Sequence, residues 1–305
     1  KYENHCDNNG ITKTEENANN VKKADIKKVD IKTVPQRFIP LYLAPESPYK
    51  GLFLYHHVGA GKTRVGLEIL REYYEKSKKL AYPTKLIWIT TRTLVIDIQK
   101  RYEEFGFFWN SNESPFVTGE TLWHGNGPIY LFSLKEFENA LQGKNEFAKH
   151  ILWNEQPEYH YKWNDQLSKW STDAQWDPLE NSFIIIDEVH KLYEGYKTRL
   201  FEQAIFDSYE KSKKNNTQSL KLLILTGTPI PSINIRYTGP PIKTTDIAII
   251  DMPYVIFKLL NLLIDDPAHR LPSSKALFQV HFKGETIETL SIDNREKIIE
   301  NIKGL

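Results

Sequence analysis

A single cysteine, Cys6, leaves no partner for a disulfide within the chain, which fits a reducing compartment. No apolar run approaches the roughly 20 residues that span a bilayer, and no secretory signal stands at the start. The expectation is an intracellular protein with no membrane partner. An excess of one charge is also lacking: 40 Lys and Arg against 39 Asp and Glu leave a net charge of +1. A nucleic acid would therefore be met by a local groove and not by a global field. The chain opens on Lys1 instead of methionine and reads as an excised fragment. Its 305 residues can bury one large α/β core or two small ones.

Three short strings carry the chemistry. The first runs His56-His57-Val58-Gly59-Ala60-Gly61-Lys62-Thr63. The apolar run Leu52 to Tyr55 precedes it and reads as a buried strand. From Lys62 a helical pattern follows, with Val65, Leu67, Ile69 and Leu70 set among Arg64, Glu68, Arg71 and Glu72. Strand, glycine-bearing loop and helix are what a phosphate site needs: glycines let backbone N–H groups close on the phosphates, and the helix N-terminus adds partial positive charge. Lys62 would reach the β- and γ-phosphates of ATP, and the Thr63 hydroxyl would ligate Mg²⁺. His57, Val58, Gly59, Ala60 and Gly61 supply the cradle, and Arg64 is counted with it. The position five residues before Gly61, glycine in the general pattern, is His56. Read alone, the string is also compatible with a glycine turn before an ordinary helix.

The second string is Asp187-Glu188-Val189-His190, at the end of the unbroken apolar run Phe183 to Ile186. Such a run suits a central parallel strand covered on both faces, and open α/β sheets place their chemistry at the strands' C-terminal ends. Asp187 would hold Mg²⁺, and Glu188 would polarise the attacking water as general base. The third string, Leu225-Thr226-Gly227-Thr228-Pro229, ends another apolar run, Leu222 to Leu225. Hydroxyls there could bond neighbouring carboxylates, so Thr226, Gly227 and Thr228 are candidates for coupling nucleotide state to the rest of the lobe.

In order and spacing the trio resembles the first RecA-like lobe of a superfamily 2 helicase-type ATPase: GAGKT as motif I, DEVH as motif II, and LTGTP as motif III in its Swi/Snf-like form. Ser47 to Thr63 is the more specific match. It resembles the large DNA virus group of the poxvirus nucleoside triphosphate phosphohydrolase I and the early transcription factor ATPase subunit, in which His56 is no departure. The resemblance runs from about Pro35 to Ile264. It implies an α/β fold, a P-loop RecA-like lobe with a mostly parallel central sheet and helices on both faces. It also implies an ATP- and Mg²⁺-dependent motor on DNA or RNA, most plausibly in viral transcription, in a virion or host cytoplasm, with RNA polymerase or other transcription proteins as possible partners. The motor subunit of a restriction system carries the same motifs, and a nucleotide-binding scaffold lobe without turnover is the alternative outside enzymes.

Further residues follow from the same resemblance. Gln36 lies upstream of the loop, where relatives carry a glutamine for adenine; a lone Gln is otherwise a surface residue. Leu86 to Ile89 followed by Thr90 to Leu94 resembles motif Ia, with Thr91 and Arg92 as nucleic-acid contacts. The same segment reads as a capped helix, with Thr93 as N-cap and Leu94, Val95, Ile96 and Ile98 as its buried side. Ile129 to Ser133 reads as a strand and Leu134 to Leu141 as its helix, with Ser133 and Lys135 placed for a further nucleic-acid contact. No Gln-x-x-Gly-Arg-x-x-Arg string occurs, so the arginine of a second RecA-like lobe is expected from outside this chain.

The organisation expected is a flexible polar arm at 1–33, an ATP-binding lobe at 34–264, and a linker or the start of another domain at 265–305. Insertions are expected near 151–180 and 232–253. Trp153, Trp163, Trp170 and Trp176 in the first could stack on bases, but irregular spacing favours local packing. After the second comes an apolar helix, Val255 to Ile264. Ala276 to Phe282 alternates like a strand, and Asn294 to Ile302 looks helical.

Overall fold

The computed structural model describes residues 33–56, 59–77, 84–104, 116–118, 129–144, 152, 159–167, 169–189, 200–227, 254, 256–273, 275–284 and 291–302. Chain contacts divide it into Lys1–Thr33 and Val34–Leu305, and every described element belongs to the second unit.

Six strands form the central sheet: β1 (Gly51–Tyr55), β2 (Lys85–Thr90), β3 (Phe116–Thr118), β4 (Ile129–Ser133), β7 (Ser182–Asp187) and β8 (Lys221–Thr226). Their spatial order is β1-β8-β7-β2-β4-β3, and every neighbouring pair is parallel. β7 and β8 are buried at every position, as their uninterrupted apolar runs require when both faces are covered. A separate antiparallel hairpin, β5 (Lys162–Asn164) with β6 (Lys169–Ser171), stands in the tryptophan-rich segment.

Strand alternation sends side chains to two cores. Ile87, Ile89, Ile184, Ile186, Leu222 and Ile224 meet α4 (Leu134–Leu141), α5 (Leu200–Asn215) and α6 (helical at 256–261). Leu86, Trp88, Phe183, Ile185, Leu223 and Leu225 meet α1 (Val34–Tyr42), α2 (Lys62–Ser77) and α3 (Arg92–Glu104). The fold is thus a P-loop RecA-like α/β lobe with helices on both faces. On the second face a helix packs tightly: a Cβ built on Gly66 of α2 would lie 2.7 Å from the Trp88 ring and 3.3 Å from Ile185. Alanine at an open helical site gains up to about 1 kcal/mol over glycine, whereas overpacking a core costs about 1–3 kcal/mol. Gly66→Ala is therefore expected to lower the melting temperature by a few degrees in a thermal scan; a rise would show that Trp88 yields.

Several expectations are corrected. Ala276 to Phe282 is not a strand: α7 (Lys275–His281) is a helix. Phe278 and Phe282, four apart, share one face and join Tyr254 in a small aromatic core. Among the described residues of the apolar segment, 256–261 are helical; Leu262 and Leu263 turn, and the Asn261 side chain pairs with both the N–H and the C=O of Leu271 at 2.7 and 2.8 Å. Arg270 lies 3.7 Å over the Phe206 ring, which ties the following stretch to α5. α8 (Ile292–Ile302) agrees with the helix expected from Asn294. In the hairpin segment Trp170 and Trp176 pack against the first core, while Trp163 is 46% exposed and meets Trp170 edge-on. Trp153 and the 232–253 insertion lie outside the described residues.

Candidate functional site

The strands' C-terminal ends bring the three strings to one edge, in an order the sequence does not reveal. β8 sits between β1 and β7, so the strand ending in Thr226 adjoins both the phosphate-loop strand and the carboxylate strand. Tyr55 pairs with Thr226, and the His56 N–H then donates to the Thr226 carbonyl at 3.2 Å. The start of the loop is therefore hydrogen-bonded to the third motif through backbone. Strand alternation puts the Thr226 side chain on the α5 side with Ile224, and Asp187 on the α2 side with Ile185.

The loop has the geometry its glycines permit. Gly59 and Gly61 have φ of 83° and 87°, the left-handed region that side chains avoid. The Val65 N–H donates to the Gly61 carbonyl at 3.1 Å, so Gly61 caps α2 and Lys62 and Thr63 form its first turn, where N–H groups lack helical acceptors. The Lys62 ammonium donates to the His56 carbonyl at 3.0 Å and closes the loop across its mouth. Burial, and then the nearby charge of Lys62, hold the His56 imidazole below its ordinary pKa, which keeps it neutral beside the lysine. Arg64 turns to Glu68 one helical turn on, at 4.0 Å. His57 and Val58 lie outside the described residues, as does Thr228.

Gln36 is buried in α1, not displayed at the surface. Its amide nitrogen lies against Gly61, where an added Cβ would displace it. Two contacts missed in the sequence hold α1 in place. The Tyr73 hydroxyl of α2 donates to the Leu43 carbonyl at 2.8 Å. The Lys221 ammonium donates to the carbonyls of Ala44, Pro45 and Ser47 at 2.8, 3.0 and 2.7 Å. A lysine opening an otherwise apolar strand was the available signal for the second.

On β7, Asp187 is buried and its Oδ1 accepts the Glu188 N–H at 3.0 Å. Glu188 has φ of 52°, a left-handed conformation that costs a non-glycine residue roughly 1–2 kcal/mol. The turn lets Val189 return to the core while Glu188 stays half-buried at the edge. Thr63 and Asp187 fit magnesium in kind: this ion takes one or two carboxylates plus phosphates and waters, not a dedicated cage. No cluster of three metal-binding side chains occurs among the described residues.

Toward the other end of the edge, α3 begins at Arg92, with Thr91 and not Thr93 at the cap. The Thr91 carbonyl accepts from Leu94 and Val95 at 2.9 and 3.3 Å, and the Thr91 and Thr93 hydroxyls are 3.2 Å apart. Ile96, expected on the buried side, is 71% exposed, whereas Ile98 is buried. Arg92 is exposed. Ser133 caps α4 in a reciprocal pair with Glu136: its hydroxyl accepts the Glu136 N–H at 3.3 Å, and its own N–H donates to the Glu136 carboxylate at 2.7 Å.

The family profile described as type III restriction enzyme, res subunit, matches residues 11–231. A putative ATP-dependent RNA helicase of Acanthamoeba polyphaga mimivirus, R563, is 25% identical over 210 residues, 64% of this chain and 29% of that protein. The chain thus spans about three-tenths of that relative. Among solved structures, the Sulfolobus solfataricus SWI2/SNF2 ATPase core in complex with dsDNA aligns over 88% of this chain and 40% of its own, at 14% identity and a TM-score of 0.44. No helix among the described residues is long and apolar enough to cross a membrane. With the family profile spanning well over half of its length, the chain belongs to the type III restriction enzyme res-subunit family and is a helicase-type ATPase domain of superfamily 2.

Proposed function

We infer that this lobe binds Mg·ATP at the sheet's C-terminal edge and, with a second RecA-like lobe, couples hydrolysis to movement on DNA or RNA. The observation that carries the reading is the backbone bond between His56 and Thr226 on a strand wedged between the lysine loop and the carboxylates. In this reading Lys62 and the α2 N-terminus hold the phosphates, Thr63 and Asp187 hold magnesium, and Glu188 takes the proton of the attacking water. Gln36, pressed on Gly61, ties the adenine end to the loop. Magnesium supplies charge neutralisation on the phosphates when bound. Thr91, Arg92 and the Ser133 hydroxyl face a strand's phosphates along the same edge.

The finer reading is a viral transcription motor like the poxvirus phosphohydrolase group, supported by the Ser47 to Thr63 match and by the likeness to a mimivirus protein. Transcription proteins would then be its partners, in a virion or host cytoplasm. The restriction-motor reading is favoured by the description of the matching family.

Phosphate release by the complete protein, with and without single-stranded DNA or RNA, tests the coupling. Arg92→Ala is expected to leave basal hydrolysis unchanged, weaken nucleic acid uniformly across sequences, and lower the salt slope of binding by about 1. An unaltered slope would remove Arg92 from the nucleic-acid surface, and a fall in basal rate would place it in the chemistry.

A further inference from the structure

Thr90 ends β2 in the interior of the sheet. It is 5% exposed, and its hydroxyl oxygen is buried with no hydrogen-bond partner among the described residues. A buried hydroxyl left in that state is costly, and a valine of the same shape would avoid the cost. Its position gives the hydroxyl a neighbour. Ile89 pairs with Ile186, so the next step along the parallel ladder sets Thr90 beside Asp187; on its other side Thr90 pairs with Ser133. Alternation sends Thr90 to the face of Trp88, and Asp187 to the face of Ile185, which is the same α2 face. The threonine hydroxyl and the candidate magnesium carboxylate are thus neighbours across two strands, on the side where the phosphate-loop helix begins.

We propose that Thr90 is a positioning residue for Asp187: when magnesium is bound, its otherwise unpaired hydroxyl donates to the Asp187 carboxylate on the neighbouring strand and fixes that carboxylate's orientation toward the ion. The Asp187 Oδ1 is already oriented by the Glu188 N–H, so Thr90 supplies a donor from the neighbouring strand. Groups that orient metal ligands in this way typically change metal affinity 10–100-fold when removed. The inference rests on the nucleotide-binding reading of this same edge.

The test uses the 305-residue chain and a fluorescent ATP analogue, titrated at varied Mg²⁺ and again in EDTA, beside thermal melting. Thr90→Val is expected to raise the Mg²⁺ concentration needed for half-maximal binding by about 10-fold. Its affinity in EDTA should equal wild type, and its melting temperature should be equal or higher, because a hydroxyl without a protein partner has gone. Thr90→Ser should restore the wild-type Mg²⁺ dependence. An unchanged Mg²⁺ dependence in Thr90→Val, where Asp187→Asn in parallel shifts it, overturns this inference and leaves the nucleotide site standing. A serine variant as impaired as valine also overturns it, since the methyl group would then matter. So does a lower melting temperature in Thr90→Val, which would mark the hydroxyl as structural. If the wild-type chain binds no nucleotide, both readings fall together.

Discussion

Glu188→Gln in the complete protein is expected to lower ATP turnover by about 10²–10⁴-fold while leaving Mg·ATP affinity within about twofold. The expectation follows from what each group touches. Lys62, the glycine turns and the α2 N-terminus are untouched by the change, so phosphate binding persists. Glutamine keeps the size and hydrogen-bonding reach of the side chain but cannot take a proton. The backbone of Glu188 adds a second, independent readout. With φ at 52°, this position is one where glycine relieves strain of roughly 1–2 kcal/mol, partly offset by glycine's own chain entropy of about 0.5–1 kcal/mol. Glu188→Gly should therefore abolish turnover and melt at the same temperature or slightly higher. A sharp loss of stability in the glycine variant would mean that the carboxylate holds the fold together, and retention of turnover in the glutamine variant would move the general base elsewhere.

Lys62→Ala is expected to weaken Mg·ATP binding at least tenfold, about 1.4 kcal/mol or more. Two effects add. The charge that meets the β- and γ-phosphates is lost, and so is the bond from the ammonium to the His56 carbonyl that closes the loop. The latter carries a stability cost of about 1 kcal/mol, the usual net worth of one hydrogen bond, so the variant should still fold. Circular dichroism beside the binding assay separates the two: a folded chain with lost affinity is the expected pair of results.

Much of the fold was readable because its signals are local. Phe183 to Ile186 and Leu222 to Leu225 are apolar without interruption because both faces of those strands are covered, and the Ser133 to Leu141 segment announces its own start through Ser133 and Glu136. Strand order is not a local property. Nothing in the Leu222 run says that it inserts between the other two, and that insertion is what makes the His56–Thr226 bond possible. α5 gives a weak sequence signal although Leu200, Phe201, Ala204, Ile205, Ser208, Tyr209 and Ser212 follow a helical period, because two serines on the buried face dilute the apolar pattern. α7 resembles a strand in sequence because a short apolar run satisfies both periods, and the packing of Phe278 with Phe282 and Tyr254 decides between them. Gln36 and Thr90 show the same limit at the site. Each is an ordinary polar residue in sequence, and its burial against Gly61 or beside Asp187 appears only when distant segments meet.

In the proposed reading this edge is a magnesium-dependent ATP site built on Lys62, Thr63 and Asp187. Equilibrium titration of the 305-residue chain with a fluorescent ATP analogue, in Mg²⁺ and then in EDTA, tests it most directly, with Lys62→Ala and Asp187→Asn measured in parallel. Binding is expected to be saturable, to weaken on chelation, to fall at least about tenfold in the lysine variant, and to lose its Mg²⁺ dependence in the aspartate variant. Wild-type binding that is absent, or that is matched by both variants, would contradict it.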